Sequence, residues 1–354
     1  MTTPVLFLLD HTRPLEETLW VLGDLCRDRD LGIQVWVCPD EVLLRLVTPA
    51  GWEALTGHPV VSEQELPKYL EQKPLAVFCQ DWRQDLAPML AHSGIPVLLW
   101  GDELPPGVPP GSSALPEFEA MEILRRLEQL AAPQDFAGKT VLVTAGPTVE
   151  DIDPVRFITN RSSGKMGVAI AWAAAVRGAR VLLVHGPMTA EVPDFPGLEK
   201  FPVRSAQQMH DVVRDHWQEA QVAVLCAAVA DFRPDHYVPQ KIKKIEGEGM
   251  VLALERTPDI LAELGALPRH PFLVGFAAES DDVEINALNK LRKKHCDLLC
   301  ANDIRKPGSG FAGDTNQITI YAPDGTVKAL PMLSKQAAAQ CLLEEIAKRL
   351  AARQ

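Results

Sequence analysis

The chain has 354 residues, 47% hydrophobic but only 6% aromatic, which is enough for two domains whose cores must be largely aliphatic. With 35 basic and 47 acidic side chains the net charge is −12. That argues against a general nucleic-acid or anionic-membrane binder, which needs a basic surface, but leaves room for a small anion in a local basic pocket.

No apolar run reaches the ~18–20 residues of a transmembrane helix, and Asp10 interrupts the apolar start that a signal peptide would need. The 7 cysteines are scattered, with no CxxC or histidine-rich cluster beside them, so free thiols in the cytoplasm are expected rather than disulfides or zinc. Apolar runs at 4–9, 33–38, 75–79 and 96–100 alternate with amphipathic stretches at 14–27 and 83–92, the pattern of a parallel sheet covered on both faces. The proline- and glycine-rich segment 101–116 is expected to continue neither element. A helix over 117–131 follows, and the boundary AAPQDFAGK gives domains 1–135 and 136–354.

The second domain opens on a strand at 140–145 that ends in Gly146-Pro147-Thr148. A helix of small residues (164–178), a strand (179–184), a helix (205–219) and a strand (221–229) follow. Next come a helix (257–265), a strand (272–278), a helix (283–294) and a strand (297–301). Hairpin-like insertions near 237–256 and 317–330 interrupt this order, and the last helix, 334–352, carries a basic end that suits its dipole. The expected fold class is α/β, two doubly wound domains with ligands beyond the carboxyl ends of the strands.

The loop after the first strand of the second domain reads GPTVEDIDPVRFITNRSSGKMG. Ser162, Ser163, Gly164 and Lys165 at the helix start have the parts of an anion site; an ordinary Ser N-cap followed by packing glycines reads equally well. A P-loop is excluded because Met166 follows Lys165 and position 159 is Thr. The dinucleotide fingerprint also fails: Gly146 is followed by Pro147-Thr148, and the next strand ends in His185-Gly186.

The stretch DIDPVRFITNRSSGKMG resembles the phosphopantothenoylcysteine synthetase family, the ligase step of coenzyme A synthesis. The resemblance continues in order through VLVTAGPT (141–148), GARVLLVHGP (178–187), RSAQQM (204–209), CAAVADFRP (226–234) and KIKK (241–244). Further on it takes in TPDIL (257–261), VGFAAES (274–280), the helix with spaced lysines (283–294), CANDI (300–304) and SKQAAA (334–339). It implies a Rossmann-like synthetase domain that joins 4'-phosphopantothenate to L-cysteine through an acyl-nucleotide. CTP is the nucleotide in bacterial members, Mg2+ is required, and pyrophosphate and CMP leave. It also implies a homodimer or higher homo-oligomer. A nucleotide-binding module without catalysis is the alternative outside enzymes.

The resemblance assigns residues as well. Asn160 is the amide donor beside the acyl-phosphate, rather than a plain turn residue. Arg156, the helix start Ser162–Lys165 and Ala227-Ala228 contribute to the substrate or intermediate, although Arg156 could also be an ion-pair partner of Asp151 or Asp153. Leu225, Cys226, Ala227 and Asp231 belong to the nucleotide site. Lys241 is the catalytic lysine that meets charge on the reacting phosphate, whereas Lys243 and Lys244 read as solvated surface. Pro258, Asp259, Ile260 and Leu261 open a helix behind Thr257, expected as its N-cap. Phe276 lies near the cytosine unless it is simply core, and Lys290 and Lys294, on one helix face, take the nucleotide. Metal ligands are not assigned. Met166 and Met209 read as packing residues.

In the first domain, LVTPAGWEALTGHPVV (46–61) resembles the flavodoxin-like decarboxylase that often precedes this synthetase. The rest departs from it. LLDHTRPLEETLW (8–20) replaces the flavin-phosphate loop, SEQELPKYLE (62–71) lacks the catalytic histidine, and PVLLWGDELPPG stands where Pro-Ala-Met-Asn is expected. His11 and His92 have the wrong neighbours to substitute. A degenerate domain without FMN is expected; a bifunctional synthetase and decarboxylase is the alternative.

Overall fold

The computed structural model describes residues 3–27, 33–116, 119–195, 197–243, 249–306, 310 and 313–353. The chain divides into two compact units, Met1–Pro133 and Gln134–Gln354. In the first, β1 (Thr3–Leu9), β2 (Ile33–Pro39), β3 (Ala76–Cys79), β4 (Val97–Trp100) and β5 (Ser113–Leu115) form a parallel sheet in the order β2-β1-β3-β4-β5. This is the flavodoxin-like strand order. Along β1, Val5, Phe7 and Leu9 enter one core while Leu6 and Leu8 enter another, so the continuous apolar run reflects helices on both faces.

Within 101–116, expected to continue neither strand nor helix, the structure places β5. It is a three-residue edge strand with Leu115 buried, and the Ser112 hydroxyl accepts the Val97 N–H at 2.8 Å. An edge strand this short tolerates prolines on either side because few ladder bonds are at stake.

The second unit contains β6 (Thr140–Ala145), β7 (Val149–Asp151), β8 (Phe157–Thr159), β9 (Arg180–His185), β10 (Leu198–Pro202), β11 (Val222–Leu225) and β12 (Phe232–Pro234). It continues with β13 (Leu254–Arg256), β14 (Phe272–Glu279), β15 (Leu298–Asp303), β16 (Thr315–Asn316), β17 (Thr319–Tyr321), β18 (Val327–Ala329) and β19 (Leu333–Ser334). The main sheet runs β10-β9-β6-β11-β14-β15-β17-β18, parallel up to β15, with the hairpin β17–β18 antiparallel at its edge. Helices Lys165–Val176 and Lys335–Ala351 cover the face carrying Val141, Val143 and Val274. Helices Ala206–His216, Ile260–Gly265 and Val283–Lys293 cover the face carrying Leu142, Ala223 and Leu273. Met166 and Met209 are buried in these two cores, as packing residues should be.

Two details differ from the sequence reading. The edge strand β10 and the pair β7–β8 were not anticipated, because their short, partly exposed stretches carry no apolar run. The strand read over 221–229 ends at Leu225, since beyond it the backbone turns to bond with the loop after β6. Among the described residues no helix is long and apolar enough to cross a membrane. The cysteines are free thiols, and burial pushes Cys38, Cys79, Cys226 and Cys296 up to about 12.

Candidate functional site

Strands β6 and β11 are neighbours, so the loops leaving their carboxyl ends run side by side and are stitched together. The Thr144 hydroxyl accepts the Ala227 N–H at 3.1 Å, and Gly146 O accepts the Ala228 N–H at 2.9 Å. Ala228 O accepts the Thr148 N–H at 3.3 Å, and the Thr148 hydroxyl accepts the Ala230 N–H at 2.9 Å. Gly186 closes the same corner: a Cβ there would lie 1.7 Å from the Pro147 carbonyl oxygen, so only glycine lets the turn after β9 approach.

Asn160, just beyond β8, is exposed, yet its amide nitrogen donates to Ala228 O at 3.0 Å and to Val229 O at 3.2 Å. That draws the residues before the helix Lys165–Val176 onto the loop holding Leu225–Asp231. The donor role implied by the resemblance therefore requires one of these carbonyls to exchange for the ligand. Asp231 is exposed, and its backbone carbonyl accepts the Thr257 N–H at 3.1 Å.

The helix start is not capped by serine. Gly164 is the N-cap, left-handed at φ +81°, and the Ser162 hydroxyl accepts the Gly164 N–H at 3.3 Å. A Cβ at Gly164 would lie 2.2 Å from Met188 Sδ, and one at Gly167 would lie 2.5 Å from Ala145 Cβ, so both glycines serve close packing. Ser163 O accepts the Ala190 N–H at 3.0 Å. The Lys165 ammonium pairs with Asp314.

Arg156 takes the ion-pair alternative, with Asp153 rather than Asp151 as partner. Its Nη1 lies 2.6 Å from Asp153 Oδ2 and donates to Ile242 O at 3.3 Å. Asp153 is buried, 1% exposed, and accepts N–H bonds from Val155 and Arg156 at 2.8 Å and from Ile242 at 3.1 Å. Burial pushes its carboxyl up, but those N–H groups and the Arg156 charge outweigh it and hold it below the usual range. Lys241, next to Ile242, is exposed, as is Lys243; Lys244 lies outside the described residues.

The expected cap at Thr257 is corrected. Its hydroxyl donates to Ala230 O, and the helix starts at Ile260 with Asp259 as N-cap, whose carboxylate accepts the Ala262 N–H at 3.0 Å. With its N–H also held by Asp231 O, Thr257 is tied to the loop after β11, and its hydroxyl is spent there rather than on a helix amide. The same Asp259 pairs with Lys294, whose side chain is 13% exposed. Burial pushes the Asp259 carboxyl up, but Lys294 and the Ala262 amide bring it below its ordinary value. Lys290 Nζ donates to Phe276 O at 3.2 Å, while the Phe276 ring packs against the core. Lys294 thus sits on Asp259 and Lys290 on the β14 backbone at Phe276, and Leu261 is partly buried.

In the first unit, Arg13 lies across the strand ends where this strand order places ligands. Its Nε donates to Gln80 O at 3.3 Å, its Nη2 to Trp100 O at 3.2 Å, and the guanidinium stacks 4.2 Å from the Trp100 ring centroid. Asp10, His11 and Asp40 come close enough together to hold a metal ion. Their oxygens, however, already serve the Thr12 N–H at 2.8 Å, the Leu43 N–H at 2.8 Å and the His11 N–H at 3.1 Å. The Asp40 hydrogen bond also raises the His11 imidazole above its ordinary value. Turn and cap bonding accounts for this cluster without a metal.

Residues 136–350 match the family model of the DNA/pantothenate metabolism flavoprotein C-terminal domain. The coenzyme A biosynthesis bifunctional protein CoaBC of Vibrio vulnificus strain YJ016 is 46% identical over 231 residues, covering 65% of this chain and 57% of that relative. The chain therefore spans a little over half the length of this curated relative. The CoaBC protein of Escherichia coli K12 is 33% identical over 377 residues, covering 91% of this chain and 92% of that relative. A crystal structure of the C-terminal domain of a CoaBC protein superposes with a TM-score of 0.53 at 42% identity, covering 62% of this chain and 99% of that one. With a family model on its second unit and a full-length relative aligned through both, the chain belongs to the CoaBC bifunctional protein family of coenzyme A biosynthesis.

Proposed function

We propose that the second unit is a ligase that joins 4'-phosphopantothenate to L-cysteine, consuming CTP and releasing pyrophosphate and CMP. The observation that carries this reading is the Asn160 amide bridging to Ala228 and Val229, which draws two family motifs to one place at the carboxyl ends of the strands. A carboxylate is a poor electrophile, so its oxygen first attacks the α-phosphate and pyrophosphate leaves. The amine of cysteine then attacks the acyl carbon and CMP departs. Lys241 meets the charge on the reacting phosphate, and Asn160 steadies the acyl-nucleotide. Lys290 and Lys294 receive the nucleotide, with Asp259 exchanging its hold on Lys294. Mg2+ bound with a triphosphate would take one or two carboxylates besides phosphate oxygens; the exposed Asp231 suits that donor set, and the ion held there would neutralise charge on the phosphates. Mass spectrometry of the full chain with all three substrates and Mg2+ is expected to show phosphopantothenoylcysteine and CMP. Absence of product with CTP and with ATP would contradict the ligase reading.

The ligase works as a homodimer or larger homo-oligomer in the cytoplasm, where its free thiols persist. Half-exposed Phe157, Phe232, Tyr237 and Leu254, on or beside the pairs β7–β8 and β12–β13, are apolar surface for a second copy to cover. Sedimentation is expected to give at least a dimer, and a monomer at micromolar concentration contradicts this.

The first unit is a degenerate relative of the flavin decarboxylase and carries no FMN. The alignment of the Escherichia coli relative over 91% of the chain favours the bifunctional alternative. Arg13 weighs against it, because a flavin at the strand ends would have to displace its bonds to Gln80 and Trp100. Pro14 also removes a backbone donor near the helix start. The purified chain is expected to be colourless and to leave the fluorescence of added FMN unquenched. A stoichiometric flavin absorbance band, or CO2 released from phosphopantothenoylcysteine, overturns this.

A further inference from the structure

The ion pair Asp153–Arg156 lies 86 to 89 positions from the segment it touches, and it takes hold of a single residue there at both backbone groups. Asp153 Oδ2 accepts the Ile242 N–H at 3.1 Å, and Arg156 Nη1 donates to the Ile242 carbonyl at 3.3 Å. Side chains rarely grip a main chain from both sides unless the segment has no ladder of its own, and residues 241–243 belong to no strand or helix. The carboxylate itself is fixed independently: it is 1% exposed, and the N–H groups of Val155 and Arg156, both at 2.8 Å, hold its other oxygen. A charged acceptor with four such donors makes a rigid post, because each bond to an ionised partner is stronger than a neutral one.

We propose that Asp153 and Arg156 are positioning residues that clamp Ile242 and thereby set Lys241 over the reacting phosphate. This rests on the catalytic reading of Lys241 given above. Arg156 then acts through Lys241 and is not a substrate-binding group. The side chain of Lys241 is exposed and long, so its reach is decided by where its backbone is held; a shift of about 1 Å at a reacting group costs on the order of a hundredfold in rate.

The test uses the full chain and two readouts. The first is limited trypsin digestion under native conditions, reading cleavage after Lys241. Asp153→Asn keeps the shape but turns an acceptor of several N–H groups into a partial donor, and Arg156→Gln removes the charged half of the clamp. Both are expected to speed cleavage after Lys241 about tenfold while cleavage elsewhere stays within about twofold, as selective local opening requires. Arg156→Lys, which still donates to a carbonyl, is expected to recover most of the protection. The second readout is steady-state kinetics. A positioning role lowers kcat and leaves the KM for 4'-phosphopantothenate within about twofold, since only the transition-state contact is lost.

Unchanged cleavage after Lys241 in both Asp153→Asn and Arg156→Gln overturns the clamp. So does a raised KM with unchanged kcat in Arg156→Gln, which would return Arg156 to the substrate. If Asp153→Asn fails to fold, Arg156→Gln alone decides the outcome. If no variant, wild type included, makes product, the ligase reading falls, and the digestion still decides whether the clamp exists.

Discussion

Replacing Asn160 by Asp is expected to abolish turnover, by more than about 10³-fold, while leaving the protein folded. The amide nitrogen now donates to Ala228 O and Val229 O at 3.0 and 3.2 Å. A carboxylate in its place offers only acceptors to two carbonyl acceptors, so both bonds are lost and the loops they join repel. It also sets a negative charge beside an anionic acyl-nucleotide, at the point where a donor is needed. Asn160→Ala separates the two effects, because it removes the donors without adding charge, and should lose about 10²-fold. The residue is exposed, so the stability cost of either change is only about 1–2 kcal/mol, a few degrees in Tm. An Asn160→Asp enzyme with near wild-type kcat would remove Asn160 from the mechanism.

Lys241→Gln should lower kcat by about 10²–10³-fold, the measured scale for a single donor aimed at developing charge. Glutamine retains a donor but not the charge, and it is shorter, so it neither neutralises nor reaches the phosphate. Lys243→Gln is the control: it is equally exposed, belongs to the same run and lies one residue beyond the clamped Ile242. It should cost less than about twofold, as for a solvated surface charge. Equal losses in the two variants would mean that the run supplies a diffuse positive field. Equal retention would mean that it is surface alone.

The α/β class and both sheets were legible because a strand buried on both faces must be apolar at every position, as in Val5–Leu9 and Val141–Val143. Edge strands escape that rule. β5 has three residues, and β10 keeps Glu199 and Lys200 exposed, so neither carries a run. Local chemistry misled at the helix starts. Thr257 looked like a cap, but its hydroxyl is spent on Ala230 O and Asp259 caps the helix; Ser162 and Ser163 read as an anion site or a cap, whereas Gly164, left-handed at φ +81°, takes the N-cap position. The motif around Asn160 was visible as a string of residues, but its contact with Ala228, 68 positions away, was not. The same holds for Asp153. Its spacing to Arg156 suggested an ion pair, yet the feature that matters, the hold on Ile242, is a long-range hydrogen bond with no local signature.

The most direct test of the proposed chemistry follows the oxygen atoms. 4'-Phosphopantothenate labelled with oxygen-18 in its carboxylate is turned over by the full chain with L-cysteine, CTP and Mg2+, and the nucleotide and pyrophosphate are weighed by mass spectrometry. If the carboxylate attacks the α-phosphate, one labelled oxygen stays on phosphorus when the amine displaces the nucleotide, so CMP carries one oxygen-18 and pyrophosphate none. Unlabelled CMP, or label in pyrophosphate or inorganic phosphate, would contradict an acyl-cytidylate and with it the roles given to Asn160 and Lys241.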